Sequence, residues 1–78
     1  MKWTLEAMRI SGGLTQEQLA EEFEVSSQTI AKFEKDSTDI GMILLKKYID
    51  KFGIPFDDIF LGKKYENFVK YQTNKLVH

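Results

Sequence analysis

Seventy-eight residues amount to about half of one typical domain, which excludes a two-domain architecture and leaves no room for an elaborate enzyme. With 42% hydrophobic and 29% charged residues, the composition is that of a soluble globular domain rather than a disordered chain. There are no cysteines and the net charge is -1, so disulfides, thiolate metal sites and cysteine nucleophiles are excluded together, and the global field argues neither for nor against nucleic acid.

With no covalent staple, packing of apolar helix faces has to supply a stability on the order of 4–12 kcal/mol. The first residues lack an apolar run ending at a small-residue cleavage site, so no signal peptide is expected. The longest apolar cluster, Met42-Ile43-Leu44-Leu45, is far short of the roughly 18 residues needed to span a bilayer. A cytoplasmic protein without a membrane partner is expected.

Thr4 is placed to cap a first helix, with Trp3 and Met8 at the spacing of a hydrophobic staple, and Gly12-Gly13 to end it. Leu14-Thr15-Gln16-Glu17-Gln18-Leu19 is the strongest local signal. Thr15 and Gln18 have the spacing of a capping box, Leu14 and Leu19 that of a staple, and Glu17 suits the positive end of a helix dipole. Leu19, Ala20 and Phe23 continue a narrow apolar stripe to a second-helix end near Phe23 or Glu24.

Ser26 or Ser27 caps a third helix running to about Lys35, with Ile30 and Phe33 inward and Val25 packing from before the cap. Ser27, Gln28, Ala31, Lys32 and Lys35 fall on the opposite side, a short polar face free of bulky apolar groups. After the polar connection Asp36–Asp39, residues Ile40 to Phe52 carry the longest helical pattern, with Leu44, Leu45, Tyr48, Ile49 and Phe52 on one side. Gly53 is a natural helix end, and Pro55 opens a short fifth helix with Asp57 and Asp58 in its first turn and Ile59 facing in.

Residues 63–78 form a basic, aromatic-containing tail whose pattern fits helix and strand alike. Charge is unevenly placed. Residues 16–35 carry five acidic against two basic side chains, whereas residues 61–78 carry four lysines against one glutamate.

No residue set points to catalysis or to a metal. Asp57 and Asp58 stabilise a helix dipole without a nearby histidine or third carboxylate, and the single histidine, His78, is the last residue. Neither an enzymatic activity, a cofactor nor a small-molecule substrate is expected. Phe56, Phe60, Tyr65 and Phe68 exceed what the core of so small a domain needs, and they suggest a homodimer interface.

The series from Gly13 to Ala20, then Val25-Ser26-Ser27-Gln28-Thr29-Ile30-Ala31-Lys32-Phe33-Glu34, resembles the Cro/cI-type (XRE) helix-turn-helix family. Leu44-Leu45-Lys46-Lys47 and Gly53-Ile54-Pro55-Phe56-Asp57-Asp58-Ile59-Phe60 extend the likeness over about residues 3–62. Within that family the likeness is greatest to small phage repressors or Cro-like regulators. It implies an all-α, five-helix, lambda-repressor-like DNA-binding domain over residues 1–62. Physically, Ala20 is the small residue such a motif needs where its two helices approach. Leu19, Phe23, Val25, Ile30 and Phe33 supply the apolar crossing.

The resemblance also assigns roles, on double-stranded DNA. Gln16 meets a phosphate at the start of the second helix, and Ser26 donates to one at the start of the third. Ser27, Gln28 and Lys32 occupy base-reading positions, Ala31 meets a thymine methyl, and Lys35 extends the same face. Gln28 suits a bidentate pair with adenine, and Lys32 suits guanine or a phosphate. Arg9 and Glu34 match positions that form a buried ion pair in some relatives.

The chain departs from the pattern at three places. Glu24 stands where glycine is usual in the turn, Ser27 where arginine is common, and the Asp36–Asp39 loop is acidic where many relatives are basic. The expected function is a phage or bacterial transcriptional regulator, acting as a repressor and binding a two-fold symmetric operator as a homodimer. The alternative is a protein-interaction module on the same fold, of the antitoxin or anti-repressor type.

Overall fold

The computed structural model describes residues 2–63. Four α-helices follow in order: α1 (Leu5–Ser11), α2 (Gln16–Phe23), α3 (Ser27–Lys35) and α4 (Met42–Phe52). No β-strand occurs among the described residues beyond two single-residue bridges, Trp3 with Ile59 and Asp36 with Lys63. Helix α2 packs chiefly on α3, and α1 lies against α3 and α4.

The helix starts follow the side-chain chemistry. Thr4 accepts the Ala7 N–H at 3.1 Å. Thr15 accepts the Gln18 N–H at 3.1 Å while the Gln18 side chain accepts the Thr15 N–H at 2.9 Å, closing the capping box. Of the two candidate serines, Ser26 is the cap, accepting the Thr29 N–H at 3.1 Å, and Ser27 is the first residue of α3. At the end of α1, Gly12 comes so close to α4 that an added Cβ would lie 3.0 Å from the Phe52 ring, and Gly13 takes φ +72°.

Two helix bounds differ from the sequence expectation. Helix α4 begins at Met42, after Gly41, rather than at Ile40. The Ile40 N–H is turned back onto the Ser37 carbonyl, and Gly41 is extended, so Ile40 cannot share the helical ladder. The expected fifth helix is a single 3-10 turn, Phe56–Asp58, with Pro55 as its cap instead of its first residue. Its continuation is prevented by the N-terminal segment: Trp3 donates to the Asp58 carbonyl at 2.7 Å, and Phe60 donates to the Trp3 carbonyl at 2.8 Å. Backbone groups already paired sideways are unavailable for a helical ladder. The domain is therefore four-helical over its described residues.

The core consists of Leu5, Met8, Leu19, Ala20, Phe23, Ile30, Leu45, Tyr48 and Ile59. Phe23 meets Tyr48 edge-on, with ring centroids 5.0 Å apart. Leu14, Val25, Phe33, Leu44, Ile49 and Phe52 pack around this cluster as partly buried neighbours. Each apolar stripe expected from spacing thus turns inward, whereas Met42 and Ile43, at the start of α4, are 69% and 81% exposed.

The α2–α3 turn carries strain in return for closure. Glu24 is left-handed at φ 59° and ψ 41°, and no other non-glycine among the described residues has positive φ. This lets the Glu24 N–H reach the Glu21 carbonyl and the Val25 N–H reach the Ala20 carbonyl at 3.0 Å, satisfying the last carbonyls of α2 in a Schellman-like closure. Helix α2 has no basic residue in its last turn. Instead Lys47 of α4 donates to the Phe23 carbonyl at 2.7 Å, and Lys51 pairs with Glu22, bringing two cations to the negative helix end.

Candidate nucleic-acid interface

One side of α3 presents its longer polar side chains to the exterior of the described residues. Residues 27, 28, 31, 32 and 35 recur at the spacing of a single helical face. Gln28, Lys32 and Lys35 are exposed there, with Ser27 and Ala31 half-buried between them. The Lys32 ammonium lies 5.2 Å from the Phe33 ring centroid, a cation–π contact on the flank of this face. Small residues at 27 and 31 leave the helix backbone approachable between longer polar arms. The resulting ridge is narrow enough to enter a major groove about 12 Å wide.

Ser26 stands at the N-terminal end of the ridge. Its hydroxyl oxygen receives the Thr29 N–H and lies 2.9 Å from the Thr29 hydroxyl. The hydroxyl is exposed, so capping and contact with a ligand are compatible. Gln16 opens α2 beside the same surface, since Gln16, Ala31 and Lys35 line one open depression together with Glu6 and Glu34. Its backbone N–H and that of Glu17 have no acceptor within the helix, as for any first turn.

Beneath the ridge lies a charged network. Arg9 Nε donates to Glu34 Oε2 at 2.6 Å and Arg9 Nη2 to Glu34 Oε1 at 3.1 Å, a bidentate pair whose side chains are 12% and 4% exposed. Arg9 Nη1 also donates to the Leu14 carbonyl at 2.8 Å. Donating to the Glu34 carboxylate raises the Arg9 pKa above its ordinary value, against the opposing effect of burial. The guanidinium therefore keeps its charge at the network's centre. Gln16 Nε2 completes the network, donating to Glu34 Oε1 at 3.0 Å.

The Arg9–Glu34 pair agrees with what the resemblance implied. The bond from Gln16 to Glu34 had no counterpart in the sequence reading, because eighteen residues separate the two and no local spacing rule joins a helix start to the end of the next helix. The clamp of Lys47 and Lys51 on the end of α2 was equally invisible, for the same reason.

The surroundings carry negative charge. Glu17, Glu21, Glu22 and Glu24 are exposed on and after α2. Asp36 accepts from the Thr38 hydroxyl and backbone N–H, which together hold its carboxyl below the ordinary aspartate value. Past α3 the chain is tied to residue 62: Ser37, buried at 3% exposure, donates its N–H to the Gly62 carbonyl at 3.0 Å, and its hydroxyl accepts the Gly62 N–H at 2.9 Å.

Of the four aromatics expected at a subunit interface, Phe56 is 49% exposed and Phe60 half-buried. Tyr65 and Phe68 lie outside the described residues, as does the helix-or-strand alternative for the tail. Trp3, 40% exposed, is joined by backbone to the same segment through Asp58 and Phe60.

No helix among the described residues is long and apolar enough to cross a membrane. Among them, too, no three acidic or histidine side chains gather as metal ligands would.

A helix-turn-helix family model matches residues 5–59, from the first residue of α1 to the bridge at Ile59. The chain is also 41% identical over 61 residues to a protein of Methanocaldococcus jannaschii named as an uncharacterized HTH-type transcriptional regulator. That match covers 78% of this chain and 92% of the relative.

Proposed function

This chain belongs to the helix-turn-helix family, and from that premise we propose that it is a DNA-binding transcriptional regulator whose α3 reads base edges in the major groove. The observation that carries the reading is the exposed ridge of Gln28, Lys32 and Lys35 on the second helix of the motif, with small residues between them. Ser27, Gln28 and Lys32 are the base readers, Ala31 the thymine-methyl contact, and Gln16, Ser26 and Lys35 the backbone contacts. Helix α2 then crosses the DNA backbone with its N-terminal N–H groups toward a phosphate. Residues 1–62 are the DNA-binding unit and 63–78 a basic extension. The relative's printed name supports a role in transcription.

Repression by occupying promoter DNA, as a homodimer, is the finer reading. One small module contacts few base pairs, and two ridges related by a two-fold axis enter successive major grooves about 34–36 Å apart. The exposed aromatics Trp3 and Phe56 support a dimer face where Trp3 pairs with the segment 58–60, and Phe60, Tyr65 and Phe68 are the other residues proposed for it. A phage or bacterial source rests on the resemblance alone.

Selection of bound duplexes from a random DNA pool tests this reading directly. Enrichment of an inverted repeat, with affinity falling steeply as salt rises, is expected. Lys32→Ala lowers the log–log salt slope by about one if Lys32 meets a phosphate. Gln28→Ala relaxes preference at one base pair at a cost of about 1–3 kcal/mol. No enrichment at low salt rejects the proposal. It favours instead a protein-binding module, for which the acidic α2 surface and the exposed Met42–Ile43 pair are the relevant features.

A further inference from the structure

We propose that Glu34 is a positioning residue for DNA backbone binding, holding the Gln16 side-chain amide in one orientation at the start of α2. The inference rests on the DNA-binding reading above and adds to it a device that acts from beneath the surface.

The chemistry of the pair settles which way the amide faces. An ionised carboxylate only accepts hydrogen bonds, so the nitrogen of Gln16, not its oxygen, must face Glu34 Oε1. That nitrogen carries two hydrogens. One is engaged by Glu34 at 3.0 Å, and the second projects away from the bond and is free to donate to a phosphate oxygen. The Gln18 N–H is already taken by Thr15, leaving the backbone N–H groups of Gln16 and Glu17 as the other donors in this turn.

Glu34 is itself immobilised. Its side chain is 4% exposed, and both its oxygens are gripped by Arg9. Arg9 in turn holds the Leu14 carbonyl at 2.8 Å, immediately before the Thr15 cap. One buried ion pair thus fixes the start of α2 twice, by backbone through Leu14 and by side chain through Gln16. The arginine also neutralises the carboxylate, so an approaching phosphate meets an oriented donor without an uncompensated negative charge behind it.

A free glutamine on a helix surface surrenders rotamer freedom when it binds, and one already held does not. Together with the strength of a charge-assisted bond to phosphate, pre-orientation amounts to about three- to tenfold in affinity. A purely structural network, by contrast, changes stability and leaves this increment untouched.

The test is a double-mutant cycle on DNA affinity, at fixed salt, with a duplex enriched by the wild-type protein from a random pool. The network is removed by Arg9→Met with Glu34→Leu, a replacement of similar size that avoids leaving one buried charge alone. Its effect is measured with Gln16 present and in a Gln16→Ala background. All measurements are made where circular dichroism reports a fully folded protein.

A loss of about three- to tenfold with Gln16 present, shrinking to less than about twofold without it, is the expected result. Equal losses in the two backgrounds, or no loss in either, overturn the inference while the DNA reading stands. A wild-type protein that enriches no duplex overturns both.

A second measurement uses the unaltered protein, so it does not depend on the variants folding. The side-chain amide of Gln16 is expected to give rigid order parameters by NMR beside a mobile Gln28. An equally mobile Gln16 amide also overturns the proposal.

Discussion

Replacing Glu24 by glycine should stabilise the protein, although it removes a side chain and adds none. Glu24 sits at φ 59° and ψ 41°, where an L side chain crowds its own carbonyl at a cost of about 1–2 kcal/mol. Glycine escapes that cost but widens the unfolded ensemble, which returns about 0.5–1 kcal/mol. The closure bonds from residues 24 and 25 to Glu21 and Ala20 use backbone alone, so the substitution keeps them. The net gain is about 0.5–1 kcal/mol, or roughly 2–8 °C in Tm for a domain of this size.

Thermal and urea denaturation followed by far-UV circular dichroism measure it. Glu24→Ala is the control, since it removes the charge while keeping Cβ and therefore the strain. Glu24→Gly no more stable than Glu24→Ala would refute the argument, because the penalty would then lie in the carboxylate and not in the backbone. Glu24→Gln separates the electrostatic part, raising DNA affinity at low salt with little change in Tm.

Arg9→Met alone should cost about 3–5 kcal/mol by leaving Glu34 buried and unpaired, and adding Glu34→Leu should restore most of it, both read from urea midpoints. Ser37→Ala leaves the Gly62 N–H without its acceptor and should cost about 1–3 kcal/mol. Faster hydrogen exchange at Gly62 localises that loss. Tyr48 has a fully buried hydroxyl with no hydrogen-bond partner among the described residues, so Tyr48→Phe should be neutral or stabilising by about 1–3 kcal/mol.

The same tyrosine sets a pH dependence. Burial, followed by the nearby Glu34 charge, raises its pKa above the ordinary 10.0. Above pH 10 the unfolded chain therefore releases this proton while the folded one keeps it, and stability falls as pH rises. Tyr48→Phe should lack that alkaline component, and identical stability profiles above pH 10 would contradict it.

Helix starts and the core were legible in the sequence because both are written in short-range rules. Thr4, Thr15 and Ser26 accept from a backbone N–H three residues on, and capping chemistry operates over one turn. Leu19, Phe23, Ile30, Leu45 and Tyr48 turn inward because helical periodicity forces them onto one face. The fifth helix failed for the opposite reason. Pro55, two aspartates and Ile59 satisfy every local rule for a helix, and the segment is diverted by pairing with Trp3, more than fifty positions earlier in the chain. Helix α4 starts later than its apolar periodicity implies because of the Ser37–Ile40 turn, a local competitor that periodicity does not register. Of the candidate site, residues 27, 28, 31, 32 and 35 could be placed on one face from spacing, whereas the tether of Gln16 could not.

Apolar burial alone does not fix the angle between α2 and α3. The hydrophobic effect is non-directional, so apolar contact alone leaves some rotation of one helix against the other. Directional contacts remove that freedom at three points: the Ala20–Val25 bond in the turn, the Lys47 bond to the Phe23 carbonyl at the end of α2, and the Glu34 bonds to Arg9 and Gln16 at its start. The angle matters for reading bases, since a bidentate pair between Gln28 and adenine needs α3 to enter the groove while α2 rests on the backbone. Loosening the network should therefore degrade discrimination between related duplexes. A protein whose Arg9→Met/Glu34→Leu form kept full discrimination would show that the apolar crossing alone holds the angle.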